Sequence, residues 1–152
     1  MIDHVSVPVR DLAASIRFYE AVLGTLGFTA LERRPATVGF GKHYAEFWIN
    51  LRSDLPPASP NSGAHICFRA RSTELVDAFH AAALKHGGTS DGAPGLRPQH
   101  GEGYYAAFIR PTLAVNILQA NRVEDILPKL RAAAAGAPDE SKQMPADVAH
   151  RL

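Results

Sequence analysis

Residues 3 to 11 read Asp3-His4-Val5-Ser6-Val7-Pro8-Val9-Arg10-Asp11, and the reading of this stretch decides the fold. Val5, Val7 and Val9 alternate with His4, Ser6 and Pro8. That period of two predicts a half-buried strand, with valines on one face and His4 on the other. Asp11 is placed to cap a following helix. Leu12, Ile16, Tyr19, Val22, Leu23 and Leu26 then form an apolar stripe at helical spacing, and Gly27 is a helix stop.

The same unit returns at a constant offset of 61 positions. His4 meets His65, Arg10 meets Arg71, Phe18 meets Phe79, Ala21 meets Ala82, Leu23 meets Leu84 and Gly27 meets Gly88. Ile66, Phe68 and Ala70 alternate with His65, Cys67 and Arg69, and Ser72 takes the capping role. A strand–helix unit repeated once predicts two copies of one module, each opening with a histidine on its non-helix face.

Outward from the first unit, Phe28 to Arg33, Ala36 to Phe40 and Tyr44 to Leu51 read as strands, broken by Arg34-Pro35 and Gly41-Lys42. In the last of them Phe47, Ile49 and Leu51 share one face, and Glu46, Trp48 and Asn50 the other. The Pro-rich stretch 54–62 reads as a linker. Gly63 opens module two, whose helix runs from about Ser72 to His86. Thr89 to Gly103 is rich in glycine and proline and predicts a long loop with at most one short strand. Tyr104 to Arg110 and Val115 to Ala120 are the last strands; Arg122 to Ala135 reads as a terminal helix, followed by a polar tail.

The 152 residues fit one domain or two small modules sharing a sheet. A formal net charge of +1 points to neither a nucleic acid nor a membrane surface as partner. No apolar run reaches the ~20 residues that span a bilayer, and Met1 leads straight into the strand without a signal-like leader. Cys67 is the single cysteine, which fits a reducing cytoplasm.

The layout resembles the vicinal oxygen chelate superfamily, which holds glyoxalase I, extradiol dioxygenases, and bleomycin- and fosfomycin-resistance proteins. The residues that carry the resemblance are Asp3-His4-Val5, Arg10 to Ser15, Phe18-Tyr19 and Leu23-Gly24. In the second half they are Gly63 to Ile66, Val76 to His80, Gly92 to Gly95 and Gly103 to Phe108. The resemblance implies an α/β (α+β) fold of two βαβββ modules pairing into one cupped, mixed sheet. Module one would be 1–53, the linker 54–62 and module two 63–122, one domain in all, with 123–152 a C-terminal helix and tail. It also implies a divalent metal (iron, nickel, zinc, cobalt or manganese) in the cup and a homodimer whose terminal helix docks on the partner.

By the same resemblance, His4 and His65 match the two histidine ligands, and Glu46 stands where glyoxalase I has a carboxylate. Glu46 also reads as an ordinary solvated strand-face carboxylate. The fourth ligand is usually a glutamate on the last strand. An ungapped alignment puts Leu118 in that slot, and shifted registers put Asn116 or Ile117 there. No register supplies an anion, although Asn116 or Gln119 has an amide oxygen to offer. Two histidines and one carboxylate would suit a transition metal with open positions for substrate oxygens.

Around the ligands, Trp48 and Asn50 would form one wall of a substrate pocket, with Cys67 and Arg69 beside His65. One of Tyr104 and Tyr105 would face inward; His100 reads first as a solvent-exposed loop histidine and otherwise as a residue at the mouth. His43, His80 and His86 read as surface residues. Two functions follow. One is a metal-dependent lyase, isomerase or dioxygenase acting on a small molecule. The other is a metal-free protein that sequesters an aromatic or amphipathic small molecule. A thiol transferase of the fosfomycin-resistance type ranks third.

Overall fold

The computed structural model describes residues 2–54, 56, 64–112 and 117–122. Most of the linker, Leu113 to Asn116, and residues 123–152 with the rest of the expected terminal helix and the tail lie outside the described residues; Arg122, expected to open that helix, ends a strand instead. The chain runs β1 (Val5–Val9), α1 (Leu12–Gly24), β2 (Thr29–Arg34), β3 (Thr37–Gly41), β4 (Ala45–Leu51), then β5 (His65–Arg69), α2 (Thr73–Lys85), β6 (Thr89–Leu96), a short 3₁₀ turn (Pro98–His100), β7 (Tyr105–Arg110) and β8 (Ile117–Arg122).

Both helices begin as the sequence predicts. Asp11 accepts the Ala14 N–H at 2.9 Å, and Ser72 accepts that of Leu75 at 3.4 Å, which satisfies donors that the first helical turn leaves open. Both helices are followed by a left-handed glycine, Gly27 at φ +81 and Gly87 at φ +90. The second stop thus falls in the Gly87-Gly88 pair where the sequence predicts it, at Gly87, one residue before the 61-position offset.

Each module closes its own four-stranded mixed sheet, in the order β1-β4-β3-β2 and β5-β8-β7-β6. The first and last strands of each module pair in parallel, and the others antiparallel. The two βαβββ modules thus have the same plan, and α1 packs against α2. Phe47 and Phe68 meet edge-on at 5.3 Å across the module boundary, as do Phe28 and Phe68 at 5.7 Å.

The helix-side faces hold the core. Val7, Val9, Tyr19, Val22, Leu23, Phe40, Phe47 and Ile49 fill it in module one, and Phe68, Val76, Phe79, Ala83, Ile109, Leu118 and Ala120 in module two. Each large side chain fully buried there contributes about 1.5–3 kcal/mol of transfer free energy. No helix among the described residues is long and apolar enough to cross a membrane.

Two expectations need correction. The predicted loop from Thr89 is mostly strand: β6 runs eight residues along the edge of the second sheet, with two register shifts. Its Gly92, Pro94 and Gly95 look like loop residues because an edge strand with bulges tolerates them. His80 is not a surface residue. It is 8% exposed, and its Nε2 lies 2.8 Å from Ser90 Oγ.

Candidate functional site

The open face of each sheet, opposite its helix, carries the polar residues singled out by alternation. In module one these are His4, Ser6 and Pro8 beside Glu46, Trp48 and Asn50; in module two they are His65, Cys67 and Arg69 beside Gln119 and Asn121. Side chains two apart on a strand share a face, so each strand start brings its histidine to the open side.

A cavity of about 520 Å³ draws on both modules. His4, Glu46, His65, Cys67 and Arg69 all line it, together with Lys42. His4 and His65 are exposed and Glu46 half-buried. The Asp3 carboxylate lies 2.7 Å from His4 Nδ1, which leaves Nε2 as the free ring nitrogen. The Lys42 ammonium stands 5.2 Å above the Phe28 ring. His65 also borders a smaller cavity of about 350 Å³, shared with His100, Arg97, Asp91 and Phe108.

Trp48 and Asn50 lie on the same open face but outside the lining of the larger cavity. The indole lies against Gly39, where an added Cβ would come within 2.9 Å of the ring. Its N–H donates to the Ala45 carbonyl at 3.1 Å, and the Arg34 guanidinium sits 5.3 Å from the ring centroid. Asn50 accepts from the Thr37 hydroxyl.

The tyrosine pair separates. The Tyr104 hydroxyl accepts from Gln119 Nε2 and Asn121 Nδ2, each at 2.8 Å, and its ring lies 5.4 Å from that of His100. Tyr105 goes to the helix side, where its hydroxyl donates to Asp77 of α2 at 2.8 Å. The Asp77 carboxylate accepts that proton and raises the Tyr105 pKa. Of the two, Tyr105 faces α2 and Tyr104 faces Gln119 and Asn121, outside the lining of either cavity. Packing around Cys67 pushes its thiol pKa up, against the opposing pull of the Tyr104 hydroxyl and the Arg69 charge.

The Leu118 slot is also corrected. The ladders pair Val5 with Phe47 and Ile66 with Leu118. Val5 and Ile66 are repeat partners, so Phe47 and Leu118 are equivalents. Both belong to the core, at 1% and 0% exposure. The equivalent of Glu46 is one residue earlier, position 117, which is the ladder partner of His65. Ungapped alignment misplaces it because it cannot see the length of the turn before β8. Asn116, the other alternative, lies outside the described residues. Gln119 offers Tyr104 its N–H, so its role here is donor to a hydroxyl.

Divalent metal was expected on His4, His65 and Glu46. The three line one cavity, yet among the described residues no three His, Cys, Asp or Glu side chains come close enough together to hold an ion. Position 117, an isoleucine, adds no ligand. The donor set of one described chain does not fit a metal. Sequence reasoning missed Asn121 and Lys42. Asn121 shares strand parity with Gln119 and becomes readable once β8 is in register; Lys42 in a turn gives no such signal.

The family model described as the Glyoxalase/Bleomycin resistance protein/Dioxygenase superfamily matches residues 1–135. Among solved structures, a glyoxalase/bleomycin resistance protein from Albidiferax ferrireducens T118 is 33% identical, with a TM-score of 0.68 over 80% of this chain and 97% of that one. A glyoxalase/bleomycin resistance protein/dioxygenase family enzyme from Burkholderia phytofirmans PsJN is 22% identical, with a TM-score of 0.60 over 80% and 98%. The fosfomycin resistance protein FosX from Mesorhizobium loti shares the fold at 17% identity, with a TM-score of 0.59 over 86% and 97%. The search of curated proteins found no match. With two βαβββ modules, histidines opening both, and a family match over most of its length, the chain belongs to the Glyoxalase/Bleomycin resistance protein/Dioxygenase superfamily.

Proposed function

We propose that this chain binds a small organic molecule on the open faces of its sheets, as a sequestering protein whose metal site is reduced. One observation carries the reading: the second module has isoleucine at the position equivalent to Glu46, so the site lacks a second carboxylate. A dication held by two imidazoles and a single carboxylate has less anionic charge to hold it than one held by two carboxylates. Trp48 on one face and Tyr104 on the other supply an aromatic surface and a hydroxyl for a ligand that is partly apolar.

A homodimer belongs to the same proposal. His65, Cys67 and Arg69 stand exposed along β5, and a second copy of the chain would flank that face while leaving the cavity open to a ligand. Its mass at micromolar concentration tests this, and a monomer would refute it.

A metal-dependent lyase or dioxygenase is the second reading, favoured because His4, Glu46 and His65 line one cavity. It requires these three to close on one divalent ion. Metal analysis after dialysis, with zinc, manganese, iron, nickel and cobalt supplied in turn, separates the two. Substoichiometric metal that dialysis strips supports sequestration. Stoichiometric metal that survives dialysis, and is lost in both His4→Ala and His65→Ala, overturns it in favour of the enzyme.

A further inference from the structure

The hydroxyl of Tyr104 is fixed in its role. A phenol oxygen has two lone pairs and one proton. Gln119 Nε2 and Asn121 Nδ2 occupy both lone pairs at 2.8 Å. Gln119 is only 3% exposed, so its amide is held in place. The Tyr104 proton is therefore left to be donated elsewhere.

The β5–β8 ladder says where. Gln119 pairs with Cys67 and Asn121 with Arg69, so the hydroxyl stands beside these two residues. Its effect on the Cys67 thiol agrees with that placement. Arg69 is exposed; its guanidinium, with five N–H donors, makes no hydrogen bond or ion pair with any described side chain, and its charge reaches Cys67. Cys67 and Arg69 both line the larger cavity. Of the carboxylates lining that cavity, Asp3 pairs with His4 and Glu46 stands on the module-one side, while Asp91 of the neighbouring cavity pairs with Arg110. The patch offers directed donors and a positive charge to whatever enters.

We propose that Arg69 and the Tyr104 hydroxyl bind the oxyanion of a small organic ligand, a carboxylate or a phosphonate. Gln119 and Asn121 are positioning residues that hold Tyr104 in its donor role. The inference rests on the open faces being a ligand site, but needs no metal. An arginine and an aligned hydroxyl on one oxyanion are charge-assisted donors, roughly twice as strong as neutral ones.

The test titrates the full chain, in chelator, with benzoate, phenylphosphonate and the uncharged benzamide. Side-chain amide resonances of Gln119 and Asn121 report on the network. Reaction of Cys67, the single cysteine, with a neutral disulfide reagent reports on access to the patch. Saturable amide shifts and slowed Cys67 reaction with an oxyanion, and neither with benzamide, are expected. The tighter of the two oxyanions identifies the group. Arg69→Gln and Tyr104→Phe should each weaken that binding by about tenfold or more. Arg69 is exposed, so its variant keeps the test valid even if Tyr104→Phe misfolds. No saturable response to either oxyanion, an equal response to benzamide, or unchanged affinity in Arg69→Gln would overturn the proposal. A ligand that quenches Trp48 yet is indifferent to Arg69→Gln would sink this inference and leave the ligand-binding reading standing.

Discussion

Placing a glutamate at Leu118 should nearly unfold the protein, and placing it one residue earlier should build a metal ligand. Leu118 is 0% exposed and its ladder partners are Ile66 and Ile109. Leu118→Glu gives up about 2–3 kcal/mol of buried leucine. It also forces the carboxyl to stay protonated, and a pKa raised by ~3 units costs about 4 kcal/mol at neutral pH. The sum, roughly 6 kcal/mol, is comparable with the whole stability of a small domain. At ~3 °C per kcal/mol the melting temperature should fall by roughly 18 °C. Ile117→Glu introduces the carboxylate at the ladder partner of His65. It should tighten zinc binding by calorimetry in a way that His65→Ala abolishes. A Leu118→Glu protein that melts with the wild type and gains zinc affinity would show the register to be wrong by one residue, and with it the argument for a reduced site.

Three further outcomes follow from particular side chains. The Tyr19 hydroxyl is buried with no hydrogen-bond partner among the described residues, and burial raises its pKa; Tyr19→Phe should leave stability unchanged or raise it by about 1 kcal/mol in urea unfolding, and a clear loss would reveal a partner. An alanine Cβ at Gly39 would lie 2.7 Å from Ala45 Cβ and 2.9 Å from the Trp48 ring; Gly39→Ala should cost about 1–3 kcal/mol and shift the emission of the only tryptophan, and an unchanged spectrum would contradict the packing. Burial lowers the His80 pKa more than Asp77 raises it; a neutral imidazole is thus favoured in the fold, its contribution is full above pH ~6.5 and is lost as pH falls through the lowered value. His80→Gln should therefore lose less stability than wild type between pH 7.5 and 5.5 in paired urea titrations, and equal losses would remove the assignment.

Much of this architecture is legible before any coordinates. A period of two in Val5, Val7 and Val9, with the offset of His4 and His65, yields strand faces because alternation is a local property of the backbone. Helix starts at Asp11 and Ser72 are local as well. The same alternation brought Glu46, Trp48 and Asn50 to the open face. What failed was non-local. The register of β8 depends on a turn whose length no pattern records, and a one-residue slip moved Leu118 from core to site. Tyr104 and Tyr105 are equivalent to a sequence reader until a neighbouring strand says which is inside. β6 was hidden by Gly92, Pro94 and Gly95, whose preferences are set by an edge rather than by a turn. His80 looked polar and exposed because its partner, Ser90, is brought to it by packing.

The shared ladder register makes a pair of twins of each position on β4 and β8, and the twins have diverged. Trp48 stands opposite Ser6 where Gln119 stands opposite Cys67, and Asn50 opposite Pro8 where Asn121 stands opposite Arg69. Only the asparagine survives in both copies. A duplicated module with identical faces would greet a guest alike from either side, and the guest could enter either way round. Here one half presents an indole and a proline, and the other an amide-braced phenol, a thiol and a guanidinium. The doubling supplies the frame, and the loss of its symmetry gives any bound molecule a head and a tail.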